Sequence, residues 1–121
     1  MKKILIVDDE EKVRKLVEVT LSVGKLDILH ASSGDDAIKI AREATPDIIL
    51  LDIMMPGRLD GFDVCRLLKK DPDTKDIYVI MLTAKGQQVD KERGLALGAD
   101  EYFVKPFSPM ELMDKIDSIL A

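Results

Sequence analysis

Three apolar runs in this chain end on charged side chains: Ile4-Leu5-Ile6-Val7 runs into Asp8 and Asp9, Ile48-Ile49-Leu50-Leu51 into Asp52, and Tyr102-Phe103-Val104 into Lys105. The runs are continuous and do not alternate with polar residues. They therefore read as strands buried on both faces, as in a parallel sheet covered by helices. Ligands of such sheets bind at the carboxyl ends of the strands. If these strands are neighbours, three carboxylates converge on one spot. Their repulsion would raise the pKa of at least one of them unless a cation is present, and an ammonium group and a divalent metal would both relieve it.

Five apolar runs, roughly Lys3 to Val7, Leu26 to His30, Asp47 to Leu51, Ile77 to Leu82 and Glu101 to Val104, alternate with five stretches of helical period. The first helix carries Val13, Leu16, Val17 and Leu21 on one face, which is expected to pack on the sheet. The second is capped within Ser33-Gly34-Asp35-Asp36, turns Ala37, Ile38, Ala41 and Ala44 inward, and ends at Thr45-Pro46. The third spans Phe62 to Lys70 and stops before Asp71-Pro72. The fourth runs from about Gln88 to Leu97 with Gly98 as its C-terminal cap. The fifth opens on Ser108-Pro109-Met110-Glu111, a capping box with proline at the first helical position, and shows Leu112, Ile116, Ile119 and Leu120 on one face. Right-handed crossovers then give an α/β fold: a flavodoxin-like, doubly wound, five-stranded parallel sheet in the order 2-1-3-4-5 with five helices. At 121 residues and 46% hydrophobic content, residues 1–121 fit a single domain.

The net charge of −5 argues against direct contact with nucleic acid, which wants a basic face. The single cysteine, Cys65, falls inside a helical pattern, so it reads as a small buried hydrophobe of a reduced, cytoplasmic protein. Met1-Lys2-Lys3 precedes only four apolar residues, too few for a leader peptide or a membrane span. His30, the only histidine, has no companion of metal-ligand spacing and reads as structural.

The proposed strand order makes Asp8, Asp9 and Asp52 neighbours and brings Thr83 and Lys105 to the other side of Asp52. Mg²⁺ prefers oxygen ligands and is commonly held by one or two carboxylates plus phosphate, which Asp9 and Asp52 suit. A carboxylate kept ionised beside such a metal is able to attack a phosphoryl group and form an aspartyl phosphate. Lys105 and the Thr83 hydroxyl are suitable donors for the charge that spreads over the transferred oxygens. Singly, each residue has a plainer reading. Adjacent aspartates after a strand often make only a turn or a helix cap, and a methionine pair such as Met54-Met55 is ordinarily core filler. A shared site accounts for Asp8, Asp9, Asp52, Thr83 and Lys105 together.

Asp8-Asp9, Asp52 followed by Met55-Pro56, Thr83-Ala84 and Lys105-Pro106-Phe107 resemble the response-regulator receiver domain, the CheY-like module of two-component signalling. Ala31-Ser32-Ser33-Gly34, Pro46-Asp47 and Gly98-Ala99-Asp100 match the same pattern in order and spacing, so the resemblance covers essentially the whole chain. It implies that Asp52 is the phosphoacceptor, served by the phosphohistidine of a sensor histidine kinase or phosphotransfer protein, or by a small donor such as acetyl phosphate. It implies direct Mg²⁺ ligation by Asp9, Asp52 and the backbone carbonyl of Met54, with Asp8 acting mainly through water. Lys105 would pair with the phosphoryl group, and the Lys105-Pro106 peptide would be cis. Thr83 and Tyr102 would form the switch that changes the surface of helix four, strand five and helix five for a downstream effector domain or protein. Met54 and Lys85 occupy positions that tune autodephosphorylation in the family. Lys91, Arg93, Asp100, Glu101, Glu111 and Lys115 are candidates for an ion-pair lattice in a phosphorylation-dependent dimer. The loop Gly57-Arg58-Leu59-Asp60 is one residue longer than the family spacing, which bears on how partners reach Asp52.

On this reading the protein catalyses only its own phosphoryl transfer and autodephosphorylation and is not an enzyme for an external metabolite. Its kinase, its target, and whether it stands alone or forms one module of a longer regulator are open. Two alternatives stand beside it. A small Mg²⁺ phosphatase of the haloacid-dehalogenase type also uses an aspartate nucleophile, but it places an Asp-x-Asp motif after the first strand, where this chain has adjacent aspartates. A phosphorylation-independent pseudo-receiver would bind partners only. A flavin or nucleotide module lacks its glycine-rich phosphate loop here.

Overall fold

A computed structural model of the protein describes residues 2–22, 25–84, 88–105 and 108–121. Strand and helix alternate throughout as β1 (Lys2–Val7), α1 (Glu11–Leu21), β2 (Leu26–Ala31), α2 (Gly34–Ala44), β3 (Ile48–Asp52), α3 (Gly61–Lys70), β4 (Tyr78–Ala84), α4 (Gln88–Ala96), β5 (Glu101–Lys105) and α5 (Pro109–Leu120). The five strands pair in parallel in the order β2-β1-β3-β4-β5, as the apolar runs predict.

Period-two alternation inside those runs divides the core in two. Leu5, Val7, Ile49, Leu51, Val79 and Met81 face one way and pack with Ala37 and Ala41 of α2 and Phe62, Val64, Cys65 and Leu68 of α3. Ile4, Ile6, Ile48, Leu50, Ile80 and Leu82 face the other way and meet Val17 and Leu21 of α1 and Leu112 and Ile116 of α5. Every residue of β3 is buried, because it lies inside the sheet and is covered on both sides.

Some strand and helix details differ from expectation. Four strands run on by a residue or two: Ala31 pairs with Val7, Asp52 with Leu82, Thr83 with Val104, and Ala84 with Lys105. The polar residues read as following the strands thus end them inside the ladder. Leu16 does not join the sheet-facing stripe of α1 and is 63% exposed; it lies about 100° around the helix from buried Val17, beyond the narrow seam that Val17 and Leu21 define. Ala44 is only half-buried, at the open end of α2. At α5 only the Ser108 half of the capping box forms among the described contacts, with the Ser108 hydroxyl accepting from the Glu111 amide. The reciprocal box sits on α3 instead, where Asp60 and Asp63 each accept from the other's amide at 2.9 and 3.0 Å. An Asp-x-x-Asp sequence escapes a template written for Ser or Thr with Glu. The predicted ends of α2 and α4 hold, with Thr45 at φ 41° and Gly98 at φ 103°.

The long loop after β3 is anchored away from the sheet edge. Leu59 and Met55 tuck into the α2/α3 core, and Arg58 reaches the exposed carboxylate of Asp35 on α2. Gly61 lies so close to β3 that a Cβ there would stand 2.4 Å from the Asp52 carbonyl oxygen and 2.6 Å from the Ile53 Cα. Gly94 in α4 is different, since its nearest neighbour would be the Met81 side chain at 3.5 Å, an ordinary contact. Gly61→Ala should therefore cost about 2 kcal/mol or more of unfolding free energy by overpacking against backbone. Gly94→Ala should gain about 0.5–1 kcal/mol from helix propensity. Urea unfolding of the two variants is expected to move the midpoint in opposite directions.

Candidate functional site

The register aligns the charged residues at one end of the sheet. Val7 pairs with Leu51, so Asp8 and Asp52 follow side by side on adjacent strands, and the Asp8 amide extends the ladder by donating to the Ala31 carbonyl at 3.2 Å. By alternation Asp52 continues the face of Leu50, and Lys105 the face of Phe103. Lys105 thereby reaches back across β4 and β3. Its Nζ donates to Asp8 Oδ2 at 3.0 Å and lies 3.4 Å from Asp52 Oδ1. Asp9 stands at the exposed lip, and one carboxylate oxygen from each of Asp8, Asp9 and Asp52 falls within 4.8 Å of the others.

Asp8 and Asp52 are almost fully buried, at 1% and 6% exposure, so their charges need partners. The other Asp8 oxygen accepts from the Glu10 amide at 2.9 Å. Asp52 Oδ1 also lies 3.4 Å from the Met54 amide. Burial raises the Asp52 pKa above the ordinary 3.8, and the Asp8 charge raises it further, against the opposing pull of Lys105 and the Met54 amide. For Lys105, burial disfavours the ammonium, but the bond to Asp8 and the charges of Asp52 and Asp8 outweigh it and raise its pKa above 10.5. The result is a buried carboxylate made chargeable by one ammonium, beside an acidic lip open to a hard cation. Three carboxylates in reach of one another fit Mg²⁺ by the chemistry of the donor set.

A family model for the response regulator receiver domain matches residues 4–117. The chain belongs to that family. The receiver is 48% identical over 118 residues to the "Probable transcriptional regulator ycf27" of Guillardia theta, an alignment covering 98% of this chain and 45% of that protein. It is 45% identical over 120 residues to the "Alkaline phosphatase synthesis transcriptional regulatory protein PhoP" of Bacillus subtilis, covering 98% of this chain and 48% of that one. The receiver thus spans about half the length of these curated relatives. Among solved structures, a putative response regulator from Chloroflexus aurantiacus superposes with a TM-score of 0.92 at 34% identity, covering 98% of this chain and 97% of that one. Vibrio cholerae CheY4 gives 0.90 at 31%, covering 98% of each chain. Family membership decides against the phosphatase reading.

Of the residues singled out from sequence, the receiver brings Asp8, Asp9, Asp52 and Lys105 together at one point. Thr83 is buried one residue beyond the Asp52-Leu82 pair, and by alternation it shares the strand face of Met81 and Tyr102. The acids with Lys105 and the Thr83-Tyr102 pair therefore approach the sheet edge from opposite faces. Met54 projects outward with 74% exposure, whereas Met55 joins the core. Lys85, Pro106 and Phe107 lie outside the described residues, and with them the expected cis peptide. Cys65 is buried, and burial pushes its thiol up to about 11. His30 lies 3.4 Å from Glu18 of α1. The charged residues of the suggested dimer lattice are largely engaged within the chain: Asp100 with Lys69 at 2.8 Å, and Glu101 with Lys115 at 3.1 Å. Among the described residues no helix is long and apolar enough to cross a membrane.

Two contributors went unread in the sequence. Arg14 of α1 donates to the Asp8 carbonyl, holding the first turn of the helix against the acidic loop; a basic residue six positions after the first aspartate is its only sequence trace. Gly61 lets the loop return directly beneath the Asp52 carbonyl, and its trace is the Asp60-Gly61 pair at a helix start.

The raised Asp52 pKa carries a sign for stability. A carboxyl held above its unfolded value favours folding below the ordinary value of 3.8, and that contribution is lost as pH rises through the raised value. At neutral pH the ionised Asp52 is therefore a liability in the metal-free protein. Asp52→Asn should melt at a higher temperature than the parent at pH 7 without divalent metal, and the margin should shrink toward zero as pH falls below about 4. Calorimetry across that range checks it; an Asn variant that melts lower at pH 7 would contradict the assigned direction.

Proposed function

We propose that the protein is a phosphorylation-activated switch whose phosphoacceptor is Asp52. The observation that carries the reading is the buried Asp52 carboxylate with the Lys105 ammonium 3.4 Å away, inside a cluster of three acids. Paired with that ammonium, such a carboxylate is suited to attack phosphorus without an external base. An Asp52 oxygen forms a bond to phosphorus, the P–N bond of a kinase phosphohistidine breaks, and the electron pair leaves on the imidazole nitrogen. Hydrolysis by water returns Asp52 and inorganic phosphate.

Lys105 then serves two states. In the unmodified site its charge is shared between Asp8 and Asp52, and in the modified one it is placed to bind a phosphoryl oxygen. Asp9, Asp52 and the Met54 carbonyl would hold Mg²⁺. Asp8, with both its oxygens already engaged, would act through water. When bound, the metal supplies charge neutralisation for the transferred group. Thr83 is the donor on the opposite face, and Tyr102 moves with it. The expected partners are a sensor histidine kinase or phosphotransfer protein on the input side and an effector domain or protein on the output side. The names of the ycf27 and PhoP relatives favour a transcriptional output. The chain acts on itself and is not an enzyme for a free substrate.

Intact mass after incubation with acetyl phosphate tests this reading. The parent should gain one phosphoryl group only with Mg²⁺ present. Asp52→Asn should gain none, and Lys105→Met should lose most of the yield. A parent that neither gains mass nor binds beryllofluoride with Mg²⁺ would be a partner-binding pseudo-receiver.

A further inference from the structure

Helix α4 is held to the sheet in an unusual way. Gly94 is its buried residue among the described side chains, and Leu95 is 44% exposed, so the described side chains of the helix bury little apolar surface. Two cation-ring contacts tie it down instead. Lys91 Nζ stands 4.6 Å from the centroid of the Tyr102 ring on β5, and the Arg93 guanidinium stands 4.1 Å from that of Phe62 on α3. Both Lys91 and Tyr102 are half-buried, which strengthens such a contact relative to a fully exposed one. Among the described residues, Glu101 is held by Lys115 and Asp100 by Lys69.

Lys91 and Tyr102 also line, with Ile53, Met81, Gly94, Leu95 and Ala99, a small crevice with no room for a water molecule. Met81 is the register partner of Tyr102 and shares a strand face with Thr83. The Tyr102 ring therefore sits where movement at Thr83 would be felt, and Lys91 is the side chain laid across it. We infer that Lys91 is a positioning residue that latches the Tyr102 ring at this crevice in the unmodified protein, so that activation must break the Lys91-Tyr102 contact and with it one of the two ties on α4. The inference rests on the phosphoacceptor reading of Asp52. The state that Lys91 secures is the one in which Lys105 lies on Asp8 and Asp52.

The test uses the full chain with selectively labelled tyrosine. Tyr78 is the only other tyrosine and serves as an internal control. Lys91→Met keeps the aliphatic stem and removes the charge; it should move the Tyr102 ring signals, leave those of Tyr78 in place, and lower the beryllofluoride midpoint in Mg²⁺ by about three- to tenfold. Lys91→Arg should restore both readouts. In a Tyr102→Leu background, Lys91→Met should leave the midpoint unchanged. Unmoved Tyr102 signals in Lys91→Met would overturn the latch, as would an equal midpoint change in the Tyr102→Leu background. If the parent does not bind beryllofluoride, the phosphoacceptor reading fails on its own account, and the Tyr102 ring signals still decide whether Lys91 holds the ring.

Discussion

The Lys105 ammonium, 3.0 Å from Asp8 and 3.4 Å from Asp52, is the contact on which the rest of the site depends. Two carboxylates buried side by side would be intolerable alone, because each loses its hydration and repels the other. One cation from the far edge strand makes them tolerable without cancelling them, since the Asp52 pKa stays raised by burial and by Asp8. The cluster therefore remains short of positive charge. An incoming metal or phosphoryl chemistry meets a site that is assembled and incompletely neutralised.

The parallel sheet makes this arrangement a consequence of register. Because β1 and β3 align Val7 with Leu51, their next residues are neighbouring aspartates at the open edge. Because β5 lies two strands from β3, a side chain as long as lysine spans the distance. Alternation places the acids and Lys105 in line with the α1/α5 face and Thr83 and Tyr102 in line with the α3/α4 face. On the proposed function, chemistry on one side of the sheet edge would be read out on the other, where the described side chains of α4 bury little apolar surface.

Most of the architecture was legible because buried parallel strands leave continuous apolar runs, and β1 and β3 carry the clearest of them. The site was legible for the same reason: a charged residue that ends such a run must lie at the sheet edge. Leu16 shows where pattern reading ends. An apolar residue one step off a helix stripe looks the same in sequence whether a neighbour covers it or solvent does. The Asp60-Asp63 box was missed because its residue types depart from the usual capping template, and the Arg14 bond to the Asp8 carbonyl because a backbone acceptor leaves no residue-type signature. The contacts of Lys91 and Arg93 with aromatic rings were hidden by a different ambiguity, since a helical cation is equally suited to a carboxylate or a ring until the tertiary structure brings one of them near.

On the phosphoacceptor reading, Lys105 is the counter-charge that keeps a buried Asp52 ionised and reactive. The direct measurement is the titration of the Asp52 side-chain carboxyl carbon by ¹³C NMR in the metal-free parent and in Lys105→Met. The parent midpoint should lie above the ordinary 3.8 and rise further when the ammonium is removed. A parent midpoint below 3.8, or one that Lys105→Met leaves unchanged, would contradict it.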